Sequence, residues 1–357
     1  MLKGIITKAM IVAASFVLGL AACSSNSSSS SEGDDLSSSD MGSSSSSSYV
    51  PLSSGPGESA ENPILISTEA ELLAFADSVN LGRHSYMNKY YALANDIAVS
   101  SGTSWTPIGS GSRVYPVASP FSGTFDGQGH TVSGISIDSD TLYVGFFGAL
   151  SGATIKNLTV EGNIQGRYAV GGIAGYAKQT IFENVHNAAI VQASSQYAGG
   201  IVGYAMGGTA ISASYNSGNI QAAYSAGGVA GILDSSRLVA VFNRGSVSAT
   251  KETVGGFAGT ASKSSSFNDC YVAASISSDS TLKNKGNIIG SFDGTVSVSN
   301  CYYDSDKAIS LSDSVATGLP SAQMTVASFA TMLNASVSVW TWKSGVNDGY
   351  PGFSWME

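Results

Sequence analysis

The chain has 357 residues, of which 43% are hydrophobic, 11% charged and 42 glycine; it can bury a large core while holding few ionisable groups, which narrows its catalytic options. Its formal net charge of −9 becomes −11 once the first 22 residues, with Lys3 and Lys8 and no acid, are taken away, so nothing in it offers the basic footprint of a nucleic-acid binder. His84, His130 and His186 are not spaced as i, i+4 pairs, and no HExxH pair, zinc cluster, GxSxG elbow or Walker loop occurs; no metal and no cofactor are expected.

Residues 1–22 read as a secretory signal, with Lys3 and Lys8 ahead of an apolar run over 9–20 that is too short for a permanent span. The LAAC that follows, ending at Cys23, resembles the bacterial lipobox, which implies acyl chains on Cys23 and a membrane partner through that anchor. Residues 23–60, dominated by serine with Gly, Asp and Glu, offer nothing to bury and read as a disordered tether. Ser24 stands where inner-membrane retention is associated with aspartate, and the acidic EGDD nearby favours external display. The expected location is the bacterial envelope, at the outer membrane or cell surface.

Residues 61–120 are expected to form an N-terminal cap. Within them, STEAELLAFADSVN has Thr68 and Glu71 at capping-box spacing ahead of Leu72, Leu73, Phe75, Ala76 and Val79, which predicts a short amphipathic helix. FDGQGH then places Asp126 and His130 near the first repeat. They are either an acid/base or cation site, or a glycine turn in which Asp126 bonds local backbone.

From 121 to 303 one pattern returns. The pairs Gly171–Gly172, Gly199–Gly200, Gly227–Gly228 and Gly255–Gly256 recur every 28 residues, each followed by two apolar residues and a third glycine, Gly175, Gly203, Gly231 or Gly259. Between them TIKNLTVEGNIQG, ISASYNSGNIQA and LVAVFNRGSVSA alternate with period two, which predicts strands. Short strands at this period predict an all-β solenoid, a parallel β-helix of about 28-residue coils with short capping α-helices near both ends. The glycines are expected to allow positive φ at a corner and to remove side chains where stacked backbones crowd.

Asn187, Asn216 and Asn243 follow His186, Tyr215 and Phe242, and the aromatic position continues at Tyr271 and Tyr302, which predicts an amide stack beside an aromatic ladder. Tyr143, Tyr168, Tyr197 and Tyr224 lie two or three residues before successive glycine pairs; as one column they are either a platform for sugar rings or a self-stacked ladder. Cys270 and Cys301 are one repeat apart and are either a disulfide or two stacked buried thiols. Asp138 to Asp140 and Asp304 to Asp306 are DSD pairs without the rest of a calcium loop. Residues 304–357 are expected to form a C-terminal cap containing a second helix over 321–334.

YALANDIAV, WTPIG, FSGTFDGQGHTVSGISI, YVGFFG, ATIKNLTVEG, the VGGIAG series, NCYYD and DGYPGF together resemble the GLUG-motif repeat proteins. The resemblance implies a right-handed parallel β-helix with an adhesin-like role at a bacterial cell surface. Some such proteins carry the module beside an immunoglobulin-A-cleaving zinc protease, and the lack of HExxH keeps that activity from being carried over. The expectation is non-enzymatic binding of a polysaccharide, host protein or envelope partner. A carbohydrate-active enzyme on the same fold and a passive spacer are the alternatives.

Overall fold

The structure is a computed structural model that describes residues 56–109, 119–279, 282, 284–309 and 315–356. All of them fall within one compact unit, Pro51–Glu357; the signal segment, Cys23 and most of the tether lie outside the described residues. The fold is an all-β parallel solenoid of about 8 turns with few helices. Its strands form an 18-stranded sheet and two six-stranded parallel sheets, with one two-stranded antiparallel pair near the C-terminus.

One coil shows why the sequence winds. Ile181–Asn187 and Ile190–Ala193 lie in the large sheet, Tyr197–Gly199 in one small sheet and Val202–Met206 in the other. Each pairs in parallel with its counterpart above and below: Phe182 with Ile155 and Ile211, Gly199 with Gly171 and Gly227. The register advances 28 residues at the glycine pairs, but 27 from Thr154 to Ile181, 29 from Ile181 to Ala210 and 31 from Ser265 to Val296. Turns absorb the difference.

The paired glycines act through the missing Cβ alone. None of the eight, nor any of the four third glycines, has positive φ, contrary to the expectation of a left-handed corner. A Cβ on Gly171 would overlap the carbonyl oxygen of Ala174, one on Gly172 the Asn187 amide, and one on Gly175 the backbone of Val144; the same overlaps recur rung by rung. Left-handed backbone occurs instead at a different column, Asn157, Asn184, Ala213, Ala240, Asp269 and Asn300, with φ between 45° and 55°. These residues bend the long strand.

Alternation fills the interior. Phe125, Ile155, Phe182, Ile211, Leu238 and Phe267 stack in one column, and Ile137, Ile164, Val191, Ile220, Val247 and Ile276 in another, all buried. Each such side chain is worth roughly 1.5–3 kcal/mol of burial. Asn187, Asn216 and Asn243 occupy a third interior column with no exposure. Asn187 Nδ2 donates to Asn216 Oδ1 at 2.7 Å and Asn216 Nδ2 to Asn243 Oδ1 at 2.8 Å, while each amide also donates to the carbonyl two residues ahead. Gly172, Gly200 and Gly228 lie against this column. The second glycine of these three pairs makes room for an amide, whereas Gly256 of the fourth lies against Val272 and the Asn287 carbonyl.

The ends are closed differently. The helix Glu69–Asn80 has the expected capping box and buries Leu72, Phe75, Ala76 and Val79, with Phe75 packed on Tyr91, Phe121 and Phe125. Strand pairing already begins at Ile64–Ile66 and Tyr90–Leu93, so the solenoid extends into the segment assigned to the cap. At the other end Thr317–Leu319 pairs with Tyr302–Asp304, and Asn287 grips Ile309 through both its amide oxygen and its nitrogen. The helical stretch expected over 321–334 is two helices, Ser321–Met324 and Ala327–Leu333, separated by extended Val326. They pack on the side of the solenoid near its end, not across it.

Candidate functional site

The outward column His186, Tyr215, Phe242, Tyr271 is stacked as expected, with centroids 3.9, 4.6 and 5.1 Å apart and planes within 15°. The chain from 321 to 356 folds over its C-terminal part as a clasp: Phe242 and Tyr271 share an apolar cluster with Met324, Phe329, Leu333, Trp340, Tyr350 and Phe353. Arg244 fastens it, donating to the Asn347 carbonyl and Oδ1 and to Asp348, with its guanidinium 4.9 Å from the Tyr350 ring centre. His186 lies beyond the clasp, and its Nε2 is 2.7 Å from Ser217 Oγ. Burial lowers its pKa to about 3, so the ring is neutral near pH 7.

Asp126 and His130 do not meet. His130 Nδ1 is 3.0 Å from Asp96 Oδ1, whereas the Asp126 carboxylate accepts from the Gln128 backbone and side chain and from Asn157 Nδ2, with Lys156 Nζ at 3.2 Å. The turn reading describes this geometry. Asn157 Oδ1 in turn accepts from Asn184 Nδ2 at 3.0 Å. Asp126, Asn157 and Asn184 thus form a second amide column, on the outside of the wall.

The four tyrosines do not share one column. Tyr143 and Tyr197 flank Ala169 in register, with Ser225 next, whereas Tyr168 and Tyr224 each stand one residue earlier on their rungs. In a pleated strand that offset changes which way a side chain points. Tyr143 is buried against Tyr176, and Tyr168, Tyr197 and Tyr204 continue the cluster edge to face. Cys270 and Cys301 are free, buried thiols in neighbouring rungs; burial, then the Cys301 thiol, pushes the Cys270 thiol well up from its ordinary pKa.

Two concavities lie on the outer wall, and neither was anticipated as a site. The first is a trough of about 450 Å³ lined by Asp138, Asp140, Arg167 and the glutamines 165, 192 and 221. Asp138, Gln165, Gln192 and Gln221 are register partners on successive rungs, so the glutamines form an outward amide row, with Tyr168 and Tyr224 following directly on lining residues Arg167 and Ala223. The recurring IQG, VQA and IQA were the legible signal. The second is a cleft of about 440 Å³ whose lining includes Gln128, Asn157, Thr159 and Asn184 on the wall and Trp355 and Met356 from the clasp. Among the described residues no group of three His, Cys, Asp or Glu could hold a metal ion, and no helix is long and apolar enough to cross a membrane.

With strands, columns and concavities placed, the comparisons with known proteins fall on the repeat. Residues 194–221 match the family model for the GLUG motif, a segment that begins just after Gln192 and ends at Gln221 of the glutamine row. Over 156 residues, 41% of this chain, the sequence is 30% identical to halomucin of Haloquadratum walsbyi; the match takes in 2% of halomucin's length. A solved candidate immunoglobulin A1 protease from Bacteroides ovatus superposes with a TM-score of 0.65 at 21% identity, covering 86% of this chain and 96% of that one. That likeness shows the fold.

Proposed function

We propose that the chain is a membrane-anchored, surface-displayed binding module without enzymatic activity, whose side wall holds an extended, hydroxyl-rich polymer of the polysaccharide class. The observation that carries this reading is the glutamine row: Gln165, Gln192 and Gln221 offer amide donors and acceptors at rung intervals, about 4.8 Å apart. A repeating ligand meets a repeating surface there, and each amide can both donate to and accept from a hydroxyl. Asp138 and Asp140 at one end and Arg167 alongside give the trough polarity.

Binding is favoured over catalysis because the acid nearest to a catalytic arrangement is already committed. The groups on Asp126 hold a turn and an amide column together, and its nearest histidine is turned to Asp96. The lipobox-like LAAC at Cys23 and the serine-rich stretch after it support a lipid anchor and a tether at the bacterial outer membrane or cell surface. The GLUG repeat and the likeness to a segment of halomucin support a surface or extracellular setting. The immunoglobulin protease activity named for the fold neighbour is not proposed.

The test is retention of the full chain by a panel of immobilised neutral and acidic polysaccharides, with reducing ends assayed in parallel. Retention by at least one polymer, weakened at least tenfold in the triple variant Gln165→Ala, Gln192→Ala, Gln221→Ala, supports the reading. Retention unchanged in that variant refutes the trough, and release of reducing ends that Asp126→Ala abolishes makes the chain an enzyme.

A further inference from the structure

The cleft between the outer amide column and the clasp has features that the polymer trough lacks. None of its lining residues, Gln128, Gly129, Asn157, Leu158, Thr159, Asn184, Tyr215, Trp355 and Met356, carries a charge. Its floor is amides and a hydroxyl, and one wall is an indole. Trp355 is stacked on Phe353 with centroids 5.7 Å apart and planes 12° from parallel, and lies 5.5 Å from the Tyr215 ring, which holds it in place. Its Nε1 is buried with no hydrogen-bond partner among the described residues.

The left-handed column shows where the wall keeps amides and where it gives them up. Ala213 and Ala240 pack against the clasp's apolar cluster, and the side chains of Asp269 and Asn300 bond to the clasp at Ser336 and at the Met332 carbonyl. Asn157 and Asn184 instead face the cleft. Their bonds run one way, from Asn184 Nδ2 to Asn157 Oδ1 and from Asn157 Nδ2 to Asp126 Oδ1. The column therefore ends on Asn184 Oδ1, an acceptor to which no described group donates, at the far end of a chain of dipoles anchored by a carboxylate.

From this geometry we infer that the cleft is a binding site for a single neutral sugar ring, stacked on Trp355 and hydrogen-bonded through its hydroxyls to Asn184, Asn157 and Thr159. An uncharged, amide-floored cleft of this volume with one aromatic wall matches the mixed apolar and polar surface of a pyranose. It gives an anionic sugar no cation to pair with. The site is independent of the trough, so either can fail without the other.

The test is saturation-transfer NMR on the full chain with glucose, galactose, mannose and N-acetylglucosamine, with glucuronate as the charged control, while the indole N–H resonance of Trp355 is followed. At least one neutral sugar is expected to receive saturation and to shift the Trp355 resonance, with glucuronate weaker. Asn184→Ala is expected to weaken the binding read at the Trp355 resonance at least tenfold, and Ser297→Ala, on an exposed strand position outside both concavities, to leave it unchanged. Alanine already occupies the same left-handed position at 213 and 240, so Asn184→Ala keeps the fold. No transfer to any of the four sugars, or binding and a Trp355 shift undiminished in Asn184→Ala, overturns the inference.

Discussion

Asn187, Asn216 and Asn243 point into the solenoid, while Asn157 and Asn184 point out of it from the same wall, and the two sets use one functional group in opposite ways. Inside, Asn187 and Asn216 each spend both amide protons, one on the next rung and one on a carbonyl two residues ahead. Burial makes every one of those bonds necessary, because an orphaned amide in a dry interior costs about 1–3 kcal/mol. Outside, Asn184 makes one side-chain bond and keeps capacity to spare. The comparison teaches that a repeated amide is structural where its hydrogen bonds are all used, and keeps hydrogen-bonding capacity for a ligand or solvent where some are left over.

The largest expected effect breaks the inner column from behind. In Gly200→Ala the added methyl would overlap the Gly228 carbonyl and the Asn216 amide, both held by rung pairing, and a loss of about 3 kcal/mol is expected from the denaturation midpoint. A loss below about 1 kcal/mol would mean that the rungs can shift apart. Asn216→Leu removes the central amide and strands Asn187 Nδ2 and Asn243 Oδ1; about 2–3 kcal/mol is expected, against near-zero if the buried amides contribute nothing net.

His186 stands between the columns, two residues after Asn184 and one before Asn187, and tests their boundary by pH. Burial lowers its folded pKa from 6.5 to about 3, so the folded chain keeps the ring neutral while the unfolded chain takes up a proton. This contribution is fully present above pH 6.5 and is lost as the pH falls from 6.5 toward 3. With the ring only partly enclosed, the expected loss between pH 7 and pH 4.5 is about 1.5 kcal/mol. His186→Phe, which continues the aromatic column, should flatten that part of the profile; an unchanged slope would place the titration elsewhere. The smallest effect is on the outer column, where Asn184→Ala should cost about 1 kcal/mol in stability, against the 2–3 expected inside.

Much of the architecture was legible because it repeats. The glycine period, the strand alternation and the aromatic ladder leave marks that recur from rung to rung, and the Thr68–Glu71 capping box is a local signal readable within four residues. The role of the glycines was half legible, since crowding and positive φ both call for glycine and only the coordinates separate them. That the four tyrosines do not share one column was not legible, because a one-residue offset is invisible until the register is known. The clasp was illegible in principle: Arg244 and Asn347 are 103 residues apart, and no period connects them. The cleft depends on that contact, so it could not be read without it.

The most direct measurement is the spectrum of asparagine side-chain amide groups in selectively labelled protein, titrated with a neutral sugar that binds. The account predicts shifts at Asn157 and Asn184, with the amides of Asn187, Asn216 and Asn243 unmoved and protected from solvent exchange. Shifts confined to the inner three, or rapid exchange there, would contradict it.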